Sequence, residues 1–181
     1  MTPAKITIRN AADNDAAGIA RVHVDVWKTA YAEIYPKEYL DSLSYQERTG
    51  WHKNTLKDEV ARKLLIVAET DDREIIGFVW AGKCDGDELR FDAELYAIYI
   101  LDRYQGQGIG RRLVEKLKTP LVEAGFRSMK LWMAEGNPSG RFYESIGGKL
   151  TGQVQSENIS GKTIPLVEYG WPDISGLSLQ K

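Results

Sequence analysis

The stretch that decides the fold is Glu94-Leu95-Tyr96-Ala97-Ile98-Tyr99-Ile100, followed after four residues by Gln105-Gly106-Gln107-Gly108-Ile109-Gly110. The first run is rich in β-branched and aromatic residues, which is typical of a strand. Behind the glycines, apolar residues recur every four positions from Ile109 to Leu121, which indicates an amphipathic helix. A strand that leads through glycines into a helix presents several unpaired backbone N–H groups at one point, and this arrangement binds phosphate.

The charge pattern supports an anion site at this loop. Residues 101–130 hold seven Lys or Arg and three Asp or Glu, whereas the whole chain has a net charge of -2. Arg111 and Arg112 stand in the first turn of the predicted helix, where cations oppose the helix dipole unless an anion is bound. A glycine-rich surface turn is the competing interpretation, because short glycine motifs have many false positives.

The loop differs from two other phosphate-binding motifs. A Walker loop ends in Gly-Lys followed by Ser or Thr, whereas this loop ends in Gly110-Arg111-Arg112. A dinucleotide fingerprint has the spacing G-x-G-x-x-G and an acidic residue ~20 positions further on. Here the spacing is G-x-G-x-G, and that region holds Lys130 and Leu131. Neither motif is therefore predicted.

The remaining sequence predicts further strands and helices. Strands are expected at 6–9, 64–68, 75–81, 128–133, 150–155 and 163–170. Asp13 is expected to cap a first helix, a second helical stretch should run from about 36 to 57 in two pieces, and a short helix should occupy 138–146. Pro120 should kink the helix behind the glycines. We expect one domain over residues 1–181, of α/β (α+β) type, with a mixed, mostly antiparallel sheet flanked by helices.

Composition argues against several classes of protein. No apolar run approaches the ~20 residues needed to span a bilayer, so no membrane association and a cytoplasmic location are expected. The net charge of -2 and the pI near 5.8 give no global attraction to nucleic acid. Cys84 is the only cysteine, and His23 and His52 are too isolated for a convincing metal site, so no metal is predicted. The acidic run 85–88 does not match a calcium loop and is predicted to be a solvated turn.

The quoted residues resemble the GNAT superfamily of N-acetyltransferases. The family motif Arg/Gln-x-x-Gly-x-Gly/Ala matches Gln105, Gly108 and Gly110, and the segment 137–147, Asn-Pro-Ser-Gly-Arg-Phe-Tyr-Glu-Ser-Ile-Gly, resembles a second family segment, Asn-x-x-Ala-x-x-Phe-Tyr-x-x-x-Gly. The close match runs from about 94 to 150. The chain departs from the pattern at Leu101-Asp102, where an apolar-Pro pair is common, at Gly140, where alanine is usual, and at Gly148, where an aromatic residue is usual. None of these changes removes a donor that the coenzyme needs.

The resemblance implies that acetyl-coenzyme A is the cosubstrate. Backbone groups of Ile98 and Ile100 would pair with the pantetheine arm as an added strand. Amides from 106 to 111 would hold the diphosphate, and an N–H of Ile98 or Tyr99 would polarise the thioester oxygen. The expected coenzyme-binding residues are Ile98, Tyr99, Ile100, Gln105, Gly106, Gln107, Gly108, Ile109, Gly110, Arg111, Asn137 and Tyr143.

The chemistry of amine acetylation requires a base and benefits from an acid. An alkylammonium with a pKa near 10 must lose a proton before it attacks the thioester. Glu94 is the candidate base, directly or through water, because it opens the predicted strand, where the resemblance places the usual glutamate of the family. Glu135 is the reserve, and a solvated strand-end carboxylate is the competing interpretation of Glu94. Tyr143 can donate a hydrogen bond or a proton to the leaving thiolate, or it can simply pack the short helix.

Aromatic residues are numerous enough to line an acceptor pocket. We assign Trp27, Tyr31 and Tyr96 to it, with core packing as the alternative. The predicted function is transfer of acetyl from acetyl-coenzyme A to a primary amine of a small molecule or peptide, by direct attack in a ternary complex. A non-catalytic acyl-coenzyme A sensor is the rival. A homodimer through the closing hairpin or an edge strand is compatible with the sequence.

Overall fold

The protein is described here by a computed structural model that covers residues 5–84 and 90–177. The strands in chain order are β1 Ile6–Asn10, β2 Leu65–Thr70, β3 Ile75–Lys83, β4 Ala93–Ile100, β5 Met129–Ala134, β6 Lys149–Ile159 and β7 Lys162–Trp171. The α-helices are α1 Ala16–Ala30, α2 Lys37–Ser42, α3 Tyr45–Lys57, α4 Glu59–Lys63, α5 Ile109–Glu123 and α6 Gly140–Ser145. The predicted turn at 85–88 lies outside the described residues.

The described strands form one sheet in the order β1-β2-β3-β4-β5-β7-β6. Every neighbouring pair is antiparallel except β4 and β5, which are parallel. Nearly every residue of β2, and the first five residues of β3, are buried, which requires cover on both faces of the sheet. Phe78 of β3 meets ring side chains of α1 and α3, while α5 packs along β1 to β4. The predicted mixed, mostly antiparallel sheet flanked by helices is confirmed.

A β-bulge bends the central strand β4. Trp80 of β3 pairs with Ala97 and the next residue, Ala81, pairs with Leu95, so Tyr96 is an extra residue on β4. A bulge bends its strand and increases the local twist. On its other side β4 pairs with β5 at two positions only, Ala93 with Met129 and Glu94 with Lys130. Beyond those pairs the two strands diverge, and the facing edge of β4 is open up to Ile100.

The start of the first helix differs from the prediction. Residues 13–15 form a 3-10 turn and α1 begins at Ala16, so the expectation that Asp13 caps the helix is wrong. Asp15 is buried instead, accepts a hydrogen bond from the Ala12 amide at 2.7 Å, and forms an ion pair with Arg9 at 2.6 Å. The pairing of Asp15 with a strand residue fixes where the chain turns into the helix, and the exposed Asp13 side chain does not take part in it.

Helix α5 continues through Pro120 without a break and ends at Glu123. The proline lacks an N–H and cannot donate to the carbonyl four residues earlier. Because Pro120 stands in the last turn of α5, this missing hydrogen bond affects only the end of the helix. Gly125, with φ of 92°, follows the end of the helix in a left-handed conformation. No helix in the described ranges, 5–84 and 90–177, combines the length and the apolar character needed to cross a membrane.

The two histidines, predicted to be isolated, meet in the core. His23 of α1 and His52 of α3 are 6% and 0% exposed, and His23 Nδ1 lies 3.3 Å from His52 Nε2. Burial, assisted by the positive charge of Arg48, lowers the pKa of His23 to about 3, and the same two effects lower that of His52 to about 4. Both rings are therefore neutral at physiological pH, and they pack against Phe78.

This pair should make the protein less stable in mild acid. The unfolded chain takes up protons on both histidines near pH 6.5, whereas the folded chain does so only near pH 4 and below, so stability is lost as the pH falls through this window. In urea unfolding at pH 7 and pH 5, we expect His52→Gln to reduce the loss of stability by about 2 kcal/mol. The exposed neighbour Lys53 supplies the control, Lys53→Gln. A His52→Gln protein with the pH dependence of wild type would contradict this account.

Candidate active site

A cavity of about 440 Å³ lies where β4 diverges from β5. It is bounded by α1, the end of β4, the glycine loop, and the segment around α6. Its lining residues are Val26, Ala30, Tyr31, Ile98, Tyr99, Ile100, Tyr104, Gln105, Gly106, Gly108, Ile109, Gly110, Arg111, Asn137, Ser139, Phe142 and Tyr143. Two separate sequence motifs, the glycine loop and the 137–147 segment, therefore face the same space.

The open edge of β4 forms one wall of this cavity. Residues 98–100 pair with β3 on one side, through Gly77, Phe78 and Val79, and have no β5 partner on the other. An unpaired strand edge presents backbone N–H and C=O groups to the cavity at the spacing of a β-ladder. An extended ligand that carries amide groups can bind there as an additional strand.

The glycine loop forms the opposite end of the cavity. Gly106 and Gly108 have φ of 71° and 75°, the left-handed region that side chains disfavour, and a Cβ on either would have no heavy atom within 4 Å. The space above the loop is open and can accept an anion. Gly108 is the N-cap of α5, so the amides of Ile109 and Gly110 lack acceptors within the helix and add to the positive end of its dipole.

Polar side chains brace the loop and the α6 segment. Gln105 Nε2 donates to the Ile100 carbonyl at 3.0 Å and to Asp102 Oδ1 at 3.1 Å, which ties the loop to the end of β4. Asn137 is buried, and its Oδ1 accepts a hydrogen bond from the Ser139 amide at 2.9 Å. Gln107 donates to the Arg103 carbonyl at 3.2 Å, and its side chain does not line the cavity.

The cavity also contains a group of three phenols, Tyr31, Tyr99 and Tyr143. Burial raises the pKa of Tyr143, and the nearby Tyr31 adds to this effect. Burial likewise raises the pKa of Tyr31, against the opposing effect of its hydrogen bonds with Tyr99 and Asn137. Each hydroxyl therefore keeps its proton at neutral pH, so Tyr143 is available as a hydrogen-bond or proton donor.

The candidate bases lie outside this cavity lining. Glu94 is half-buried near the start of β4, in register with Gly82 on β3 and Lys130 on β5. At ~3.3 Å per residue it stands about 13 Å along the strand from Ile98. Glu135 follows β5 and is exposed, and its amide donates to the Pro165 carbonyl at 2.9 Å. To take a proton from an amine in the cavity, either carboxylate would need a water molecule in between, or an amine substrate that extends toward it.

The three predicted acceptor residues are not in one place. Tyr31 lines the cavity, and Trp27 packs behind it with ring centroids 4.8 Å apart. Tyr96, the bulge residue, is 36% exposed, has its ring centroid 4.5 Å from that of Trp80, and donates to the Lys83 carbonyl at 2.6 Å.

Several lining residues were not singled out from the sequence. Val26 and Ala30 of α1 are apolar helix positions that look like core, and only the three-dimensional arrangement shows that they reach the cavity. Phe142 stands within the 137–147 motif, which was the available signal for it.

Comparisons with known proteins agree with this architecture. Residues 13–148 match the sequence model of the acetyltransferase (GNAT) family. The N-acetyltransferase YuaI of Bacillus subtilis is 39% identical over 173 residues, covering 95% of this chain and 96% of that protein. Spermidine N(1)-acetyltransferase of Thermoplasma acidophilum is 27% identical over 166 residues, covering 87% of this chain and 96% of the relative.

A solved structure shares the fold. The PaiA N-acetyltransferase from Thermoplasma acidophilum, crystallised with coenzyme A, superposes with a TM-score of 0.69 at 24% identity, covering 92% of this chain and 99% of that one. The family match spans both the glycine loop and the whole α6 segment, the two elements that meet at the cavity. The chain therefore belongs to the acetyltransferase (GNAT) family and is an acetyl-coenzyme A dependent N-acetyltransferase.

Proposed function

We propose that this cavity carries out acetyl transfer to a primary amine of a small molecule or peptide, by direct attack on the thioester in a ternary complex. The observation that carries the proposal is that an open strand edge, a glycine loop at a helix N-terminus and the Tyr143 phenol line one cavity. Coenzyme A offers a group for each: amides in the pantetheine arm, a diphosphate, and a thiol. A sensor that only binds acyl-coenzyme A would need the first two but would have no use for the phenol.

The residues that would hold the coenzyme follow from this match. The edge at Ile98, Tyr99 and Ile100 would pair with the pantetheine arm, and the amides from 106 to 111 would bind the diphosphate. Arg111, which lines the cavity, adds positive charge, whereas Arg112 is tied to the Ile6 carbonyl at 2.7 Å. Asn137 is buried at the cavity wall, where its side chain would meet the coenzyme.

The proton transfers can be assigned to this chain's residues. Tyr143 would donate toward the sulfur as the tetrahedral intermediate collapses, because its raised pKa keeps it neutral until that moment. Glu94 would take the amine proton. Because Glu94 lies outside the cavity lining, the proton would pass to it through a water molecule, or directly if the acceptor amine extends toward the start of β4. Glu135 remains the alternative base.

Amines are the acceptors named for some relatives. The Thermoplasma relative is a spermidine acetyltransferase, and another relative, from Haemophilus influenzae, acetylates an alanine of ribosomal protein bS18 and is 33% identical over 97 residues. Both acceptors are primary amines, one small and one on a protein, which supports the general class of acceptor proposed here.

The domain number, location and partners of the protein are predicted from the sequence. A single domain over 1–181, a cytoplasmic location, and the lack of nucleic-acid and membrane partners stay as predictions. A homodimer through the closing hairpin is supported by the edge position of β6, where Leu150 and Val154 are 58% and 66% exposed.

The glycine loop can be tested by adding a charge. Gly108→Asp should lower the affinity for coenzyme A at least about tenfold in calorimetric titration, because its carboxylate would project into the open space assigned to the diphosphate. Gly108→Asn has the same shape without the charge and should lower affinity less. Gly125→Asp, at the other end of α5 and also with positive φ, should leave affinity unchanged. Equal affinity in wild type and a folded Gly108→Asp would refute the assignment.

The two proton-transfer roles can be separated by their pH profiles. Glu94→Gln should lower kcat by ~10² or more with coenzyme affinity nearly intact, and its rate should keep rising with pH toward the pKa of the free amine. Tyr143→Phe should also lower kcat, but without that steeper rise, and its effect should be largest with poor thiol leaving groups. A Glu94→Gln enzyme with wild-type rate and pH profile would make Glu94 a strand-end carboxylate, and Glu135→Gln would be tested next.

A further inference from the structure

A carboxylate from the closing hairpin reaches an aromatic residue that follows α1. The Tyr35 hydroxyl, on a residue that is 6% exposed, donates to Glu157 Oε1 of β6. Tyr35 in turn packs against both Trp27 and Tyr31, with ring centroids 5.2 Å from each. Through Tyr35, Glu157 is thus connected to Tyr31, a residue of the cavity lining. Its negative charge is among the causes of the raised pKa of Tyr31, after burial.

The charge of Glu157 is not balanced by a neighbouring cation. Within 5–84 and 90–177, no Lys, Arg or His nitrogen lies within 4 Å of its carboxylate oxygens. Lys162, the lysine at the tip of the same hairpin, donates to the Ile34 carbonyl at 2.7 Å instead. A half-buried carboxylate that is held by a neutral phenol and lacks a counter-ion attracts a cation.

Aromatic rings packed next to the phenol that holds this carboxylate strengthen the preference. Trp27, Tyr31, Tyr35 and Tyr39 form a continuous cluster, with Tyr39 6.0 Å from Tyr35 and 6.1 Å from Trp27 between ring centroids. The faces of such rings attract ammonium groups by cation–π interaction. Carboxylate and rings together provide the chemistry of an ammonium-binding subsite next to the cavity.

We propose that Glu157 and these aromatic residues bind a second ammonium group of the acceptor, so that the enzyme prefers linear diamines and polyamines over monoamines. The inference rests on the proposed function. The reacting amine must be neutral when it attacks near Tyr143, whereas an ammonium at Glu157 keeps its charge throughout. Tyr31 lines the cavity and packs against Tyr35, whose hydroxyl binds Glu157, so an acceptor chain that extends past Tyr31 would reach the carboxylate.

The test compares a series of linear diamines with monoamines of the same chain length, by release of coenzyme A from acetyl-coenzyme A. In wild type, kcat/KM for at least one diamine should exceed that of its matched monoamine by about tenfold or more. Glu157→Gln keeps the acceptor for the Tyr35 hydroxyl but removes the charge, and should abolish this preference while leaving monoamine kcat/KM within about twofold. Glu123→Gln, an exposed glutamate on α5, is the charge-matched control and should keep the preference.

The outcomes separate the inference from the function on which it rests. A wild-type enzyme that acetylates diamines and monoamines equally, or a Glu157→Gln enzyme that keeps the preference, would overturn the subsite and leave acetyl transfer intact. An equal loss for both amines in Glu157→Gln would also overturn it, since Glu157 would then act on the reacting amine or on the fold. No transfer to any amine by a wild type that binds coenzyme A would refute the proposed function. If circular dichroism shows that Glu157→Gln does not fold, Tyr35→Phe is the second variant. It removes the hydroxyl that holds the carboxylate beside the rings, and it should therefore reduce the diamine preference.

Discussion

The bulge at Tyr96 and the short parallel pairing of β4 with β5 are the constraint on which the site depends. Two residue pairs join these strands, and beyond Glu94 and Lys130 they diverge. Since a sheet with continuous pairing has no space between its strands, this divergence creates the cavity and exposes the edge at 98–100. The same divergence lets α5 begin at the open end, with the amides of its first turn facing the cavity.

The sequence predicted the elements with strong local signals. The alternating and apolar runs of the strands, and the four-residue spacing behind the glycine loop, correspond to β2 to β5 and α5 in the structure. The prediction that Asp13 caps the first helix was wrong, because sequence spacing does not show that Asp15 pairs with Arg9 on β1. Helix α4 was missed because it is five residues long and has no buried residue, so it carries no apolar periodicity.

The site was predictable where a motif marked it, and was not where distant segments meet. The glycine loop and the 137–147 segment identified most of the cavity lining, but Val26 of α1 carries no signal except its burial. Glu157, which is far from Tyr35 in sequence, could not be placed beside it. The structure also explains one departure from the family pattern. A Cβ on Gly148 would lie 2.5 Å from the Trp171 ring, so the indole leaves no room for a side chain at this position.

The central claim is that the coenzyme binds in the gap between β4 and β5. A crystal structure of the protein with acetyl-coenzyme A bound tests it most directly. The account predicts diphosphate oxygens within hydrogen-bond distance of the amides at 106–111, pantetheine amides paired with the backbone of Ile98 and Ile100, and the sulfur next to the Tyr143 hydroxyl. A coenzyme bound elsewhere on the sheet, or with its thioester turned away from Tyr143, would contradict it.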